Sequence, residues 1–489
     1  MKNDPEHWLL SPAAMGRVDQ AAARSGIWSF GLMEEAGQAV AAAALRLFPG
    51  ALRFVVLCGP GNNGGDGYVA ARALADAGAE TAVFRLGDPA RLKGDAATAF
   101  SLCPIGAEEL HAYNPRPGDV VIDAIFGAGL DRDVPDAVAA VIAGVDAADL
   151  PVIAVDLPSG LDGRTGRVLG AAFKARHTVT FMARKPGHVL MPGRRLCGSL
   201  EVYDIGIPQR IVASEAGPMG LNSPAAWERL LPKPEAETHK FLRGHLTVFS
   251  GPATATGAAR LSAAAGLRAG AGLVTIASPT DALKANASQL TAVMLKPVDD
   301  LAALCAYLDD RRHNAFVLGP GFGVGEKARD FALALKDRPL VLDADGITSF
   351  CDDPSALFEA FSTGETRLVL TPHEGEFARL FPDVAEGKSL SKIEMALAAA
   401  ERAHAVIVYK GPDTVIAAPD GRALVNTNAP PSLATAGSGD VLGGIIGGLL
   451  AQGMPAFEAA AAGVWYHGKA GSGAGRGLTA EELIKHIEL

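Results

Sequence analysis

Short apolar runs alternate with helical patterns along the first half of the chain. Helical periodicity covers residues 67–77 and 135–147, and the apolar runs on either side are bounded by Gly, Pro or Asp. The candidate strands are residues 53–58, 81–86, 119–124, 151–156 and 177–181. Strands that alternate with helices predict βαβ units and a mostly parallel, doubly wound sheet.

This rhythm breaks between residues 207 and 244, where five prolines occur and a short helix is expected around Trp227. A second series of strands follows, and the chain then ends in helices after Gly439. The second candidate strands are residues 245–249, 273–276, 315–318, 340–343, 367–370 and 405–409. We therefore predict an α/β protein of two doubly wound domains, residues 1–220 and 221–489, joined by a linker.

Composition narrows the choice of partners. Net charge is -10, from 44 basic and 54 acidic side chains without a long basic run, so no nucleic-acid partner is expected. The start of the chain has no apolar signal core, and Val441–Ala451 is too short and glycine-rich to span a bilayer, so no membrane partner is expected. Five scattered cysteines without a CxxC spacing favour reduced thiols. A cytoplasmic enzyme is the simplest interpretation.

Two glycine-rich turns, Gly61–Gly67 and Ala436–Asp440, each contain an aspartate and lie beside a predicted helix start. Unpaired N–H groups and the helix dipole favour phosphate there, so two anion sites are predicted. Residues 59–64 also match the GxGxxG dinucleotide fingerprint, a weak signal alone. Asp88, near the end of the second strand, keeps a dehydrogenase possible.

Further polar groups follow the strands of the first half. Asn62, Asn63 and Asp66 add side-chain oxygens that suit a hard cation. Asp123 and Asp156 end two more strands, and the carboxyl ends of parallel strands form the ligand crevice of such a sheet. Each aspartate alone is equally compatible with a helix or turn cap, but three loops that converge favour a site.

The motifs Asn62–Asp66, Asp123 with Gly127–Leu130, and Asp156–Gly160 resemble the NAD(P)H-hydrate epimerase family, over residues 10 to about 215. The resemblance implies a Rossmann-like sheet, a K⁺ ion held by Asn63, Asp123 and Ser159, and Asp156 as the acid/base with a raised pKa. It implies that the hydrated cofactor is bound by Asn62, Asn63, Gly64, Gly65, Asp66, Gly127, Ala128, Gly129, Leu130, Asp131, Arg132, Asp133 and Asp156. Ala128 replaces the threonine common in the family. Lys185 is either a second polar group or a solvated lysine.

The second turn, within Thr435–Leu442, exposes N–H groups that can hold a transferring phosphoryl group. Asp440 is placed to accept a proton from an attacking hydroxyl, and the chain contains no Walker A sequence. Other strand ends carry supporting groups, each equally compatible with a helix cap: Gly319–Gly321, Asp343–Gly346, Thr371–Glu376 and Lys410–Thr414. Lys410 follows a buried strand and suits a nucleotide phosphate.

Thr371–Glu376, Lys410-Gly411 with Thr414, and Ala434–Asp440 resemble the ribokinase-like superfamily and, within it, the NAD(P)H-hydrate dehydratase family, over about residues 225–489. The resemblance implies that Ala258, Gly321, His373 and Asp440 contact the hydrated cofactor. It implies that Lys410, Gly411, Pro412, Asp413, Thr414 and Gly439 hold an adenine nucleotide, with Mg²⁺. The loop 428–433 departs from the family's common form.

The sequence hypothesis is therefore a bifunctional enzyme that repairs hydrated NADH and NADPH. One domain interconverts the R and S epimers, and the other dehydrates the S form with ADP and releases AMP and phosphate. The two-domain fusion looks bacterial, and the resemblance there implies ADP, although no residue distinguishes ADP from ATP. The expected partners are small molecules, and the expected assembly is a homo-oligomer. The alternative is a vitamin or sugar kinase fused to a non-catalytic nucleotide-binding module.

Overall fold

The computed structural model describes residues 7–233, 237, 239–387 and 389–489. The chain forms two compact units, Met1–Met219 and Gly220–Leu489. The division lies beside the boundary expected from the break in the βα rhythm.

The first unit is built on a seven-stranded sheet in which every pair of neighbours is parallel. Its strands are β1 Arg53–Cys58, β2 Thr81–Arg85, β3 Ala107–Glu109, β4 Asp119–Ala124, β5 Val152–Val155, β6 His177–Phe181 and β7 Ser199–Tyr203. They lie in the order β3-β2-β1-β4-β5-β6-β7. The strand order reverses between β1 and β4, which is where open α/β sheets form their ligand crevice.

Two helices of the first unit precede β1, and the others follow individual strands. They are α1 Pro12–Arg24, α2 Ser29–Leu47, α3 Asn62–Asp76, α4 Gly94–Leu102, α5 Asp136–Ala147, α6 Gly193–Leu196 and α7 Gln209–Glu215. Helix α1 begins where the Ser11 hydroxyl accepts a hydrogen bond from the Ala14 N–H. Helix α3 packs close against the sheet at Gly67, where an added Cβ would lie 2.6 Å from the Ala124 Cβ.

The second unit contains a ten-stranded sheet. Its strands are β8 Met219–Leu221, β9 His245–Phe249, β10 Leu273–Ser278, β11 Met294–Pro297, β12 Ala315–Leu318, β13 Leu340–Leu342, β14 Leu368–Leu370, β15 Val406–Tyr409, β16 Val415–Ala417 and β17 Ala423–Val425. They lie in the order β11-β10-β9-β12-β13-β14-β15-β16-β17-β8. The pairs from β11 to β15 are parallel, whereas β15, β16 and β17 pair antiparallel.

Helices cover this sheet, and one of them, α17, is buried along most of its length. The helices are α8 Gly257–Arg268, α9 Leu283–Ala287, α10 Leu301–Leu308, α11 Glu326–Ala334, α12 Asp345–Thr348, α13 Pro354–Phe361, α14 Glu374–Leu380, α15 Pro382–Ala385, α16 Lys392–Ala403, α17 Ser438–Ala451, α18 Ala456–Ala474 and α19 Ala480–Lys485. A Cβ on Gly444 would lie 2.1 Å from the Ser262 carbonyl oxygen. The glycines of α17 therefore let it pack directly on α8.

The predicted α/β fold class is confirmed, with two corrections between residues 207 and 244. The stretch is not simply a linker, because α7 packs on α1 and β8 joins the second sheet. The helix expected around Trp227 is instead two 3-10 turns, Pro224–Ala226 and Glu228–Leu230. All five cysteines are free thiols. In the described part of the chain, no helix is long and apolar enough to cross a membrane.

Candidate active sites

A cavity of about 640 Å³ lies at the carboxyl edge of the first sheet, beside the ends of β1, β4 and β5. It brings together most of the residues predicted to bind the hydrated cofactor. Those lining it are Asn62, Asn63, Asp66, Gly127, Ala128, Gly129, Leu130, Asp131, Arg132, Asp133 and Asp156. Asp19 of α1 and Lys185 complete its polar wall. The first anion site and the strand-end aspartate Asp156 thus share one cavity.

The glycines of the first turn have a packing role. Helix α3 begins at Asn62, five residues before the predicted start at residue 67, so the predicted turn forms the first turn of the helix; no described side chain caps it. A Cβ on Gly64 would lie 2.0 Å from the Gly59 carbonyl oxygen, and one on Gly65 would lie 2.5 Å from the Met33 methyl group. Packing therefore accounts for these two glycines without a ligand. The Asp88 carboxylate accepts from the Ala90 N–H at 2.9 Å and so caps a turn.

Asp156 and Lys185 form an ion pair inside the cavity. Lys185 Nζ lies 2.7 Å from Asp156 Oδ1, and Thr180 donates to the same oxygen at 2.9 Å. The Ala128 N–H donates to Asp156 Oδ2 at 2.8 Å. Lys185 is 2% exposed, so the interpretation of it as a solvated lysine is wrong. Asp156 has a φ of +62°, a strained value for a residue with a side chain.

The charges of this cavity are arranged differently from the expectation. Burial, the largest single cause, would raise the pKa of Asp156, but the charges of Lys185 and His188 and the hydrogen bonds from Lys185 and Ala128 together outweigh it, so the pKa falls to about 2. The raised pKa expected for Asp156 is therefore wrong. Burial and the charge of Asp156 instead raise the pKa of Asp66 well above its usual range. Burial also raises the pKa of Asp19, which Lys185 partly offsets. The cavity thus combines an ionised carboxylate with two carboxyl groups whose pKa is raised.

Of the three residues expected to hold potassium, Asn63 lines this cavity, whereas Asp123 and Ser159 do not. Asp123 and Ser159 are buried, and the Ser159 hydroxyl and N–H donate to Asp123 at 2.5 Å and 2.6 Å. Burial, partly offset by these hydrogen bonds, raises the pKa of Asp123 to about 6. The Phe126 carbonyl oxygen lies 3.2 Å from the Ser159 hydroxyl. Asn63 Nδ2 is buried and has no hydrogen-bond partner within the described residues.

In the second unit, a lysine and two aspartates surround the start of α17. Lys410 Nζ lies 2.7 Å from Asp343 Oδ1 and 4.0 Å from Glu376 Oε2. A Cβ on Gly439 would lie 3.7 Å from Lys410 Nζ and 3.6 Å from Asp343 Oδ2. Burial, with the charge of Asp343, raises the pKa of Asp440 to about 6, and Lys410 opposes this shift. The tertiary structure thus brings Lys410 and Asp440 to one place.

Two side chains from other helices hold the first turn of α17. Ser262 of α8 donates to the Asp440 carbonyl oxygen at 2.7 Å. His467 Nε2 of α18 lies 2.9 Å from the Ser438 carbonyl oxygen and 3.1 Å from its hydroxyl. Burial lowers the pKa of His467 to about 4, so it is neutral at pH 7 and donates from Nε2. Gly437 enables the turn itself with a φ of +82°.

The other predicted groups of this unit fall into two places. Ala258 lies beside Gly321, since a Cβ on Gly321 would be 3.5 Å from the Ala258 Cβ. His373 is the N-cap of α14, where its Nδ1 accepts from the Gly375 N–H at 3.0 Å. The Glu376 carboxylate accepts a hydrogen bond from the His373 N–H at 2.9 Å, which completes a capping box. Glu376 is therefore a cap that also faces Lys410.

The loop after β15, expected to hold the nucleotide, is fixed by its own hydrogen bonds. Thr414 donates to the Gly411 carbonyl oxygen at 2.8 Å and accepts from its N–H at 3.1 Å. Lys392 of α16 lies 2.6 Å from Asp413, so that carboxylate is paired with a lysine that sequence reasoning missed. Pro412 lies between Gly411 and Asp413 in the same loop. Sequence also missed Asp19, His188, Ser262 and His467, because each sits on a segment whose local pattern signals only a helix or turn.

Each unit is an α/β domain with polar groups gathered at its strand ends: the first has a cavity with an aspartate–lysine pair at its topological switch point, and the second has a lysine and two aspartates at the start of α17. A sequence model of the NAD(P)H-hydrate dehydratase family matches residues 246–488, and one for the YjeF-related protein N-terminus matches residues 29–187.

Whole-chain relatives carry both parts. The bifunctional NAD(P)H-hydrate repair enzyme Nnr of Moorella thermoacetica is 40% identical, over 96% of this chain and 93% of its own. The protein of the same name from Thermofilum pendens is 35% identical over the same shares. A solved ADP/ATP-dependent NAD(P)H-hydrate dehydratase from Bacillus subtilis, co-crystallised with ATP and Mg²⁺, is 26% identical. That similarity covers 55% of this chain and 95% of that one, with a TM-score of 0.47. The chain belongs to the family of bifunctional NAD(P)H-hydrate repair enzymes.

Proposed function

We propose that this chain restores hydrated NADH and NADPH through two activities. The first domain, residues 1–220, interconverts the R and S epimers of the hydrate. The second, residues 221–489, uses ADP to dehydrate the S epimer and releases AMP and phosphate. Two sites of different chemistry on one chain support the pairing best: an aspartate–lysine pair beside a carboxyl group of raised pKa, and a lysine with two aspartates at a helix start. Because the hydrate forms as two epimers and the dehydratase accepts only one, recovery of both epimers requires both activities.

The first cavity suits reversible ring opening. Hydration places a hydroxyl on the carbon next to the ring nitrogen, so the C–N bond can break to give an aldehyde. Ionised Asp156 takes the hydroxyl proton, the oxygen electron pair forms C=O, and the C–N electron pair moves to nitrogen, which takes a proton from Asp66, whose raised pKa favours the protonated form. Rotation about the adjacent C–C bond and reversal of both proton transfers close the ring with inverted configuration. Both carboxyls return to their starting states.

The second site suits transfer of a phosphoryl group to the ring hydroxyl. Asp440 accepts the hydroxyl proton while the new O–P bond forms, and the phosphoanhydride electron pair leaves on AMP. Lys410 and the N–H groups of Gly439 and Asp440 balance the charge on the phosphoryl oxygens. The ring nitrogen then expels phosphate, which leaves far more readily than hydroxide, and the departing phosphate takes a proton from the neighbouring ring carbon, which restores the double bond.

Mg²⁺ is proposed to enter the second site on the phosphates of ADP. In the described part of the chain, no three His, Cys, Asp or Glu side chains form a ready-made metal cage. Mg²⁺ usually keeps several waters and binds through substrate phosphates, so it fits a site of this kind. When bound, the ion neutralises the charge that develops on the transferring phosphoryl group.

A K⁺ ion is proposed to bind Asn63, Asp123 and Ser159. A carboxylate, a hydroxyl and the neighbouring Phe126 carbonyl supply the hard oxygen atoms that such a cation prefers. The unpartnered Nδ2 of Asn63 marks an amide that can turn its oxygen into this space. The donor set therefore fits a monovalent cation that stiffens the loops around the cavity.

Epimerisation is therefore expected to be faster in potassium than in sodium at equal ionic strength. Interconversion of the R and S forms, followed by chromatography without ADP, measures this. Ser159→Ala, which removes one oxygen ligand, should reduce the difference between the two salts. Equal rates in sodium and potassium would remove the ion site from the proposal.

The proposed function is tested by incubating the full chain with hydrated NADH and ADP, and then with ATP. We expect the absorbance of reduced nicotinamide to return, with free phosphate and AMP released in equal amounts. A vitamin or sugar kinase would instead accumulate a stable phosphorylated product. Failure to recover NADH with either nucleotide would refute the proposal. The cytoplasmic location and the homo-oligomer stay predictions, and sedimentation checks the second.

A further inference from the structure

Asp343, which follows β13, contacts the lysine of the second site through one oxygen and faces its helix start with the other. Its Oδ1 accepts from Lys410 Nζ at 2.7 Å and from the Ala344 N–H at 2.9 Å. Its Oδ2 lies 3.6 Å from the position of a Cβ on Gly439. The side chain is 2% exposed, so water cannot take over either role. A buried carboxylate thus lies between the lysine and the first turn of α17.

The backbone holds this carboxylate in one orientation. Ala344 has φ +48° and ψ -118°, a conformation that a residue with a side chain adopts only under constraint. Gly319 approaches so closely that a Cβ there would lie 1.8 Å from the Asp343 carbonyl oxygen. Strain of this kind persists where the surrounding structure fixes the chain, and it concentrates at functional sites.

We propose that Asp343 is a positioning residue of the dehydratase site, which holds Lys410 over the first turn of α17 and places its own carboxylate beside that turn. The inference rests on the proposed function of the second domain. Asp343 acts through Lys410 and Asp440 and needs no contact with the reacting atoms. It explains why a buried carboxylate is placed beside another one that must accept a proton.

The charges around Asp440 support this role. Burial raises the pKa of Asp440 first, Asp343 raises it further, and Lys410 lowers it, with a result of about 6. Glu376 of α14 faces the same lysine at 4.0 Å. His467 of α18 is neutral near pH 7. Removal of the Asp343 charge therefore weakens Asp440 as a base, and a Lys410 ammonium freed from Asp343 acts in the same direction.

The test compares kcat/KM for ADP-dependent recovery of NADH at pH 5 and pH 7.5. A base with a pKa of about 6 leaves the wild type at pH 5 with about a tenth of its activity at pH 7.5. In Asp343→Asn we expect this ratio to rise about threefold or more, because the base stays ionised at lower pH. At pH 7.5 its kcat/KM should fall about tenfold or more, since Lys410 loses its partner.

Asp345→Asn is the matched control, since it removes the other aspartate of the same strand end. The Asp345 carboxylate accepts from the Gly323 N–H at 2.9 Å. This variant should keep the wild-type ratio. Lys410→Met removes the positive charge that lowers the pKa of Asp440. It should therefore raise that pKa and lower the ratio of kcat/KM at pH 5 to that at pH 7.5.

The outcomes separate the inference from the function beneath it. A wild type that recovers no NADH contradicts the proposed function. An active wild type with the same pH ratio in Asp343→Asn, at an unchanged melting temperature, overturns the positioning role and leaves a structural one. If Asp343→Asn does not fold, the Lys410→Met ratio decides: a fall supports the inference, and no change overturns it.

Discussion

Asp440→Asn is expected to lower kcat for ADP-dependent dehydration by about a hundredfold or more, as loss of a positioned base does. The asparagine keeps the shape of the side chain, and Ser262 and His467 hold the backbone of the first turn of α17 independently of it. ADP should therefore bind with nearly unchanged affinity. Single-turnover rates and ADP titration measure the two quantities separately.

The pH dependence of this variant gives an internal check. Asp440 acts as a base only when it is ionised, so wild-type activity should rise with pH through about 6 and then level off. Residual activity of Asp440→Asn should lack that rise. Turnover near that of the wild type would remove Asp440 from the mechanism.

The stability of the fold should depend on pH in the opposite sense to the activity. The folded-state pKa of Asp440 is raised above its usual value, so its contribution to stability is present at low pH and is lost as pH rises through about 6. At pH 8 the wild type carries a buried ionised carboxylate that the asparagine variant does not. Asp440→Asn should therefore melt at or above the wild-type temperature at pH 8, as expected where activity requires a strained group.

Lys185→Met is expected to slow epimerisation by about a hundredfold at neutral pH, because a general base then loses the cation that keeps it ionised. Lys185 is the largest influence that lowers the pKa of Asp156. Without it, burial dominates and the carboxyl holds its proton at neutral pH. Residual epimerisation should rise with pH as Asp156 becomes ionised. Interconversion of the two epimers by the full chain without ADP measures both effects.

Lys174→Met is the control for this variant, since Lys174 is an exposed lysine of the same unit. It should epimerise at the wild-type rate. ADP-dependent dehydration of the S form should be unchanged in both variants, because the second site is untouched. A first domain that only binds cofactor would show no interconversion in any of the three proteins, which contradicts the epimerase proposal. Normal epimerisation by a folded Lys185→Met would exclude the ion pair from the reaction.

Local patterns predicted the central strands well and the edge strands poorly. The apolar run 53–58 became β1 without change, because a strand buried on both faces needs apolar residues throughout. The edge strand β7 is half exposed and mixed in polarity, so its sequence has no comparable run. The hairpin of β16 and β17 has only three residues in each strand. Short or exposed strands are set by pairing with a neighbour, which a local pattern does not contain.

The same limit applied to the sites. Both glycine turns do begin helices, α3 and α17, since the glycine and aspartate pattern acts within a few residues of the chain. Sequence favoured ligand approach as the reason for Gly64, whereas the structure shows a contact with Gly59. It also gave Asp156 a raised pKa, because burial is easy to anticipate and a lysine 29 residues away is not.

The sequence by itself determined the α/β class, the central strands, the two turns and the family, because each depends on residues that are close together in the chain. Only the tertiary structure decided which groups share a site and with what charge. Lys185 helps to keep Asp156 ionised, and the charge of Asp156 in turn helps to raise the pKa of Asp66. Asp440 received its neighbours from two separate strand ends, where Asp343 and Lys410 meet. Proton affinity depends on distances between charges across the fold, and a linear pattern does not carry those distances.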